Sequence, residues 1–320
     1  MPDNRSSRPP LDPDCQALID ALTAAGGVFE KPDAAQMRAA YLKTNEFYNP
    51  AAPELQRVED LTIPGDGATQ PPVPVRVYHP VGVAEPAPGL VFLHGGGWIL
   101  GDLETHDALC RILAVRSDAV VISVDYRLAP EHLFPAAVED CEWAWRHIVS
   151  NAADYGVDPA RLAMGGDSAG GNLTAITCRR LRDAGAPMPK FQLLIYPATD
   201  FTATGGSMEE NATGYVLTKE RIQSMAAIYL GAPENAKSPD ASPLLADDFS
   251  GLPAALVQVA GYDPLRDQGV AYARKLQEAG VEARLIEYPT VVHGFMRMIR
   301  PVSMAHVGID DAAAALRKSL

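Results

Sequence analysis

Hydrophobic and polar positions along the chain follow two periods, which predict strands and helices in turn. Almost wholly apolar runs such as GLVFLH and FQLLIYP are typical of strands in a parallel sheet covered on both faces, whereas apolar residues three or four positions apart are typical of amphipathic helices. The predicted strands are 75–80, 89–94, 120–126, 161–167, 191–197, 255–263 and 283–289. The helical patterns between and after them are 103–116, 136–150, 170–184, 268–279 and 304–318. This alternation predicts an α/β fold with a mostly parallel, doubly wound sheet flanked by helices.

Two segments depart from the alternation. The N-terminal segment has two helical patterns and no strand. The first, DPDCQALIDALTAAGG, has Asp12 as its cap, Pro13 in its first turn and glycines at its end. The second begins with the capping-box pair Asp33 and Gln36. Between LLIYPATD and PAALVQVAG the chain is longer than a crossover needs and has one helical pattern, 219–230. We therefore expect segments 1–50 and 202–240 to form a helical cap over the strand ends, and segments 51–201 and 241–320 to form the core.

Composition limits the partners and the compartment. The 320 residues include 27 Lys and Arg against 40 Asp and Glu, and the formal net charge of −13 argues against nucleic acids and anionic membrane surfaces as partners. The first ten residues contain no apolar signal-peptide core, and no apolar run approaches the ~20 residues that cross a bilayer. The four cysteines show no CxxC spacing. We expect a cytoplasmic protein with no membrane partner, whose cysteines are buried free thiols.

A Gly-rich turn between a predicted strand and a predicted helix contains the candidate nucleophile. The stretch GGDSAGGN matches G-x-S-x-G around Ser168. A tight strand-to-helix turn requires small neighbours on both sides of the serine, and it presents the hydroxyl near the N–H groups of the helix N-terminus. A Gly-rich turn with a capping serine is the alternative interpretation, but the placement favours a nucleophile.

A serine nucleophile needs a base, and the base needs an acid that orients it. In chains with this type of turn, the acid and then the histidine follow the serine, each after a later strand. Asp263 ends the strand ALVQVAGYD, and His293 follows ARLIEYP, so both are expected at the carboxyl ends of strands. Asp267 is the alternative acid, but its position favours a cap for the next helix.

No metal or other cofactor is expected. None of the other histidines ends a late strand, and no pair has the spacing of metal ligands on one face. Asp102, Glu104 and His106 resemble a ligand cluster superficially, but the pattern favours a loop and the first turn of a solvated helix.

Three consecutive glycines after the strand 89–94 have a chemical interpretation. Attack of a serine on a carbonyl creates an oxyanion, which fixed N–H donors must stabilise. One donor is the N–H of Ala169, the residue after the nucleophile, and further donors are expected from an HGGG-type loop, here His94 to Gly97. Glycines let such a loop turn successive N–H groups towards one oxygen.

From about residue 75 onward, the sequence resembles the bacterial hormone-sensitive-lipase-like esterases (family IV). The resemblance rests on HGGGW, GDLETHD, DYRLAPEHLFPAAVED, GDSAGGN, DPLRDQG and HGF, in this order. It implies an α/β-hydrolase fold with a helical cap. It also implies a triad of Ser168, Asp263 and His293, with oxyanion donors at Gly96, Gly97 and Ala169.

Two further expectations come with the resemblance. Gln268 stands where the family usually has glutamate, which puts only a supporting contact in doubt because Asp263 is retained. Arg127 and Glu131, both in YRLAPEH, are expected to pair and brace a loop.

Together these expectations describe a serine carboxylic-ester hydrolase that acts on small-molecule esters through an acyl-enzyme. A cap of this size predicts a pocket for short- to medium-chain acyl groups. The same triad could serve an amidase, a lactonase, a deacetylase or an acyltransferase. A ligand-binding protein without catalysis is a further alternative, although such relatives typically lose a triad residue. The state of assembly is open, with a homodimer as the candidate.

Overall fold

A computed structural model describes residues 8–24 and 33–320 of the chain. Eight strands form one sheet: β1 (Arg57–Ile63), β2 (Val73–His79), β3 (Ala87–Leu93), β4 (Val120–Val124), β5 (Val157–Asp167), β6 (Phe191–Ile195), β7 (Ala254–Tyr262) and β8 (Ala283–Val292). Their order is β1-β2-β4-β3-β5-β6-β7-β8. β2 runs antiparallel to both β1 and β4, and all other neighbours are parallel. The predicted mostly parallel sheet is confirmed.

Ten helices lie within the described residues. They are α1 (Pro13–Ala24), α2 (Ala34–Lys43), α3 (Asn45–Tyr48), α4 (Asp107–Ser117), α5 (Ala136–Ser150), α6 (Ala169–Asp183), α7 (Ser207–Glu210), α8 (Lys219–Leu230), α9 (Arg266–Glu278) and α10 (Met304–Ser319). α4 and α10 cover one face of the sheet, and α5 and α6 cover the other, with α9 packed beside α6.

Alternating side chains of β3 supply two separate apolar cores. Leu90 and Phe92 pack with α4 and α10, whereas Val91 and Leu93 pack with α5 and α6 on the opposite face. Burial on both faces is the reason that the central strands are nearly continuous apolar runs.

The sequence pattern does not predict β1, an edge strand. Its side chains are exposed or half-buried, and only Ile63 is fully buried. A strand at the edge of a sheet can pair through its backbone without an apolar run. β1 therefore lacks the signal that identifies the other seven strands.

The parallel strands place the loops with the candidate site residues at one edge of the sheet. The last residues of β3 and β5 lie side by side, with Leu93 paired to Gly166, and the end of β5 adjoins the end of β6. The loops after β3, β5, β7 and β8 contain, in order, the Gly-rich stretch, Ser168, Asp263 and His293. Carboxyl ends of parallel strands are where α/β sheets bind ligands.

The two segments outside the alternation contain α1 to α3 and α7 to α8. The capping box of α2 is confirmed: the Asp33 carboxylate accepts from the Gln36 N–H at 2.8 Å, and the Gln36 side-chain oxygen accepts from the Asp33 N–H at 3.2 Å. At α1 the Asp12 carboxylate accepts from the Asp14 N–H at 2.9 Å. The predicted glycine end of this helix, Gly26 and Gly27, lies outside the described residues, as do 1–7 and 25–32 of the expected cap.

All four cysteines are buried with free thiols. Burial raises the pKa of Cys15 to about 11 and raises the pKa of each of the other three further, so the thiols are protonated at neutral pH. They act as apolar core side chains. Within residues 8–24 and 33–320, no helix combines the length and apolar character needed to cross a bilayer.

Candidate active site

Ser168 lies in a strained turn between β5 and α6. Its backbone has φ 55° and ψ −113°, a conformation that L-residues rarely adopt. A Cβ at Gly166 or Gly170 would overlap the Leu93 carbonyl of the neighbouring strand. The glycines therefore allow β3 to pass close to the turn, and the turn presents the Ser168 hydroxyl at the edge of the sheet.

The structure brings Ser168, His293 and Asp263 into one hydrogen-bonded chain. His293 Nε2 is 2.9 Å from Ser168 Oγ, and His293 Nδ1 is 2.7 Å from Asp263 Oδ2. The other oxygen of Asp263 accepts from the Leu265 N–H at 2.8 Å. Asp263 is fully buried and His293 is 9% exposed, so water reaches this chain mainly from the serine side. The arrangement can take a proton from the hydroxyl and hold the resulting imidazolium beside a carboxylate.

The Gly-rich loop after β3 faces the same serine. Gly96 and Gly97 have φ values of 128° and 62°, and a Cβ at Gly96 would overlap the Leu100 carbonyl. Both glycines line one pocket with Ser168 and His293. Ala169 directly follows Ser168 as the first residue of α6, where the N–H has no acceptor within the helix. These three N–H groups belong to the two segments that border the hydroxyl.

A buried carboxylate that the sequence analysis did not identify supports this loop. Asp167, inside the GDSAG stretch, accepts from the Gly95 N–H at 2.7 Å and lies 3.2 Å from His106 Nε2. Burial alone would raise the pKa of Asp167, but the adjacent His106 and the Gly95 N–H outweigh it and hold that pKa below its usual value. A charged residue directly beside Ser168, between an apolar strand and a helix, was the available signal.

His94, which begins the loop, is a neutral support. Burial and the neighbouring His106 lower the pKa of His94 to about 4. Its Nδ1 donates to the Gly95 carbonyl at 2.9 Å, and its own carbonyl accepts from the Tyr126 hydroxyl at 2.6 Å. The loop is thus fixed from behind by buried polar groups.

The three residues that resemble a metal cluster are engaged separately. Asp102 accepts from the Thr105 N–H at 2.7 Å, Glu104 pairs with Arg76 at 2.7 Å, and His106 faces Asp167. Each has a structural partner of its own.

A cavity of about 630 Å³ opens onto Ser168. The Met225 thioether of α8 occupies the place that a Cβ of Gly97 would take. The apolar lining comes largely from the two segments outside the sheet alternation: Ile19, Leu22, Met37, Tyr41, Val216, Ile222 and Met225. An apolar chain attached to a carbonyl at Ser168 can be accommodated there.

Two predicted local contacts are wrong. α9 begins at Arg266 with Leu265 as its N-cap, and the Leu265 N–H donates to Asp263 Oδ1. Asp267 therefore lies inside the first turn and does not cap the helix. The Asp267 carboxylate instead accepts from the Ser207 N–H at 2.8 Å.

The second correction concerns the pair expected within YRLAPEH. Arg127 binds Asp140 at 2.7 Å, whereas Glu131 pairs with Arg38 of α2 at 2.6 Å. Both partners lie outside the heptapeptide, so local sequence could not reveal them.

Gln268 has a defined contact. It is buried, and its side-chain oxygen accepts from the N–H groups of Thr199 at 2.9 Å and Asp200 at 3.0 Å. It therefore fixes the point at which the chain leaves the sheet after β6.

Comparison with known proteins gives consistent matches. A sequence model of the α/β hydrolase fold family matches residues 90–297. Carboxylesterase NlhH of Mycobacterium tuberculosis (strain H37Rv) is 41% identical over 321 residues, with 98% of each chain covered. An ester hydrolase from the metagenome of Lake Arreo, solved with a derivative of bipyridine phosphonate, has a TM-score of 0.92 at 43% identity and covers 96% of this chain and 98% of that one. The hyperthermophilic esterase of Pyrobaculum calidifontis has a TM-score of 0.90 at 40% identity, covering 97% and 99%.

Proposed function

This chain belongs to the hormone-sensitive-lipase-like (family IV) carboxylesterases of the α/β hydrolase fold, and from that premise we propose that Ser168, His293 and Asp263 perform its ester hydrolysis. The observation that carries the assignment is the hydrogen-bonded chain from Asp263 through His293 to Ser168, at 2.7 and 2.9 Å. The experiment that tests it compares turnover of a soluble ester by the wild-type protein and by Ser168→Ala.

In the acylation half, Ser168 Oγ attacks the ester carbonyl while His293 Nε2 takes its proton. The carbonyl oxygen becomes an oxyanion, which accepts hydrogen bonds from the N–H groups of Gly96, Gly97 and Ala169. His293 then protonates the leaving alcohol as the carbon–oxygen bond breaks, leaving an acyl group on the serine. Asp263 keeps the imidazole in the tautomer with a proton on Nδ1 and stabilises its charged form.

In the deacylation half, His293 Nε2 takes a proton from a water molecule, which attacks the acyl carbonyl. The same N–H groups stabilise the second oxyanion. The imidazolium returns its proton to Ser168 Oγ as the carboxylic acid leaves, so the enzyme is regenerated.

The relatives are named as esterases, which favours ester hydrolysis over the amidase, lactonase, deacetylase and acyltransferase alternatives. An intact Ser168–His293–Asp263 chain also argues against a protein that only binds a ligand. The substrate class is therefore a small-molecule ester.

We propose that segments 1–50 and 202–240 form the cap and limit the acyl group to short and medium lengths. Support comes from the apolar side chains that both segments contribute around the cavity of about 630 Å³. Each buried CH₂ contributes about 0.8 kcal/mol, or about fourfold in kcat/KM.

The acyl-length profile of kcat/KM is expected to rise from acetate and then fall before about ten carbons, as the pocket fills. The measurement is kcat/KM on p-nitrophenyl esters from acetate to palmitate. Ile222→Trp, which fills the pocket from α8, should move the optimum to shorter chains, whereas Gln223→Trp at the exposed neighbouring position should not. A preference for palmitate would contradict a pocket limited by the cap.

Gly97→Ala is expected to lower kcat by about 10²- to 10³-fold, as when an oxyanion donor is lost. The new methyl group would collide with Met225, and φ 62° disfavours alanine, so the loop must shift its N–H groups. Kinetics on p-nitrophenyl butyrate measure the effect.

The matched control is Gly82→Ala, which has φ 80° and open space at the Cβ position. It carries the same backbone strain without touching the site. Equal losses of kcat in both variants would assign the effect to general destabilisation.

A cytoplasmic location is also part of the proposal, supported by the four buried free thiols, which suit a reducing compartment. The homodimer stays a prediction.

A further inference from the structure

Arg297 joins the loop of His293 to the end of α2. It lies four residues after His293 and is 5% exposed. One guanidinium nitrogen, Nη2, donates to the Tyr41 carbonyl at 3.2 Å, to Thr44 Oγ1 at 2.9 Å and to Asn45 Oδ1 at 3.0 Å. A single side chain from the histidine loop therefore holds the whole turn between α2 and α3.

The positive charge of Arg297 suits this position. Tyr41 is in the last turn of α2, at the helix end where the macrodipole places partial negative charge. The guanidinium also lies 3.9 Å from the centre of the Tyr41 ring and 5.4 Å from that of Tyr48. Its Nε donates to the Thr105 carbonyl at 3.0 Å. Carbonyl groups and aromatic faces thus stabilise the buried cation.

Arg38 lies on α2 and contacts the Gly-rich loop after β3. Its Nε donates to the Ile99 carbonyl at 2.8 Å, and Nη2 donates to the Ala129 carbonyl at 3.0 Å. Ile99 belongs to the turn closed by the Gly96 carbonyl, which accepts from the Ile99 N–H at 3.3 Å. Glu131 fixes the Arg38 guanidinium by an ion pair at 2.6 Å. α2 is therefore bound to the Gly-rich loop through Arg38 and to the histidine loop through Arg297.

We propose that Arg297 is a positioning residue: acting through α2, it fixes the loop of His293 relative to the loop that carries Gly96 and Gly97. This inference rests on the proposed roles of His293 and the two glycines. It makes α2 a determinant of the chemical step as well as a wall of the pocket. A displacement of about 1 Å between reacting groups can cost about 10²-fold in rate.

The two roles of α2 predict different kinetics. A helix that only bounds the pocket would affect KM for longer acyl chains, which contact its side chains Met37 and Tyr41, and would leave acetate hydrolysis unchanged. A helix that positions the loops would affect kcat for every acyl length, including acetate, the acyl group that depends least on the pocket wall.

The test is the effect of Arg297→Gln on kcat and KM for p-nitrophenyl acetate, butyrate and hexanoate. We expect kcat to fall about 10- to 100-fold for all three esters, with KM changed less than about threefold. Arg297→Lys should restore part of kcat, because an ammonium group can still reach one of the acceptors.

The matched control is Arg300→Gln on the same loop. Arg300 donates to the Phe47 carbonyl at 3.0 Å and to the Glu46 carbonyl, both in α3, and it is exposed. This variant should keep the wild-type kcat.

A second pair of variants covers the case in which Arg297→Gln does not fold. Thr44→Val keeps nearly the same shape but removes the hydroxyl that accepts from Arg297 and donates to the Tyr41 carbonyl at 2.6 Å. Arg38→Gln removes the contact to the Gly-rich loop. If both act through α2, their effects on kcat for acetate will be non-additive in the double variant, whereas independent sites would give additive effects.

Wild-type kcat on acetate in Arg297→Gln, or in Thr44→Val if the former does not fold, would overturn the inference. If Ser168→Ala is inactive while the Arg297 or Thr44 variant keeps the wild-type kcat, only the positioning role of Arg297 fails. If Ser168→Ala keeps its turnover, the proposed function itself fails.

Discussion

Ser168→Ala is expected to lower kcat by about 10⁴- to 10⁶-fold while the protein stays folded. The hydroxyl is the only group of this side chain that can form the acyl-enzyme, and His293 Nε2 lies 2.9 Å from it. Alanine fits the same turn, so the surrounding packing is retained. The measurement is kcat on p-nitrophenyl acetate and butyrate, with the melting temperature as the check on folding.

The control for this prediction is Ser150→Ala, a substitution of an exposed serine at the end of α5. It should leave kcat unchanged. Residual turnover of Ser168→Ala within tenfold of the wild-type protein would remove the basis of the mechanism.

Asp263→Asn is expected to lower kcat by about 10⁴-fold with little change in KM. The carboxylate lies 2.7 Å from His293 Nδ1 and is fully buried. An amide can direct its own N–H groups at Nδ1, which favours the tautomer with the proton on Nε2, and that tautomer cannot accept the serine proton. Steady-state kinetics on the same esters measure the loss.

Asp267→Asn is the matched control, because it removes a nearby carboxylate that does not contact His293. Asp267 accepts from the Ser207 N–H and its side chain is 49% exposed, so its substitution should cost about 1 kcal/mol of stability or less and leave kcat unchanged. If Asp267→Asn lost activity and Asp263→Asn kept it, the acid would be reassigned.

The features that can be predicted from the sequence depend on local pattern or chain order. Ser168 is identifiable as a candidate because the glycines around it occupy a predicted strand-to-helix turn. Gly166 and Gly170 are both needed for Leu93 of the neighbouring strand β3 to approach this turn. Asp263 and His293 follow from the ends of two apolar strands. In each case the physical requirement falls within a few residues.

The features that were missed depend on partners distant in sequence. Arg38 and Glu131 are 93 positions apart, and Arg297 reaches Tyr41 across 256 positions. Arg127 has several acids near it in sequence, and the packing of α5 brings Asp140 to 2.7 Å and Glu139 to 3.7 Å. β1 was missed because an edge strand pairs through its backbone and needs no apolar run.

The most direct test of the account is mass spectrometry of the protein after reaction with diethyl p-nitrophenyl phosphate. Ser168 Oγ should displace p-nitrophenolate from phosphorus, with its proton taken by His293, and form a stable phosphate ester. We predict one equivalent of label per chain, located on Ser168, and none on Ser168→Ala. Label on a different residue, or labelling of Ser168→Ala at the wild-type rate, would contradict the assignment of the nucleophile.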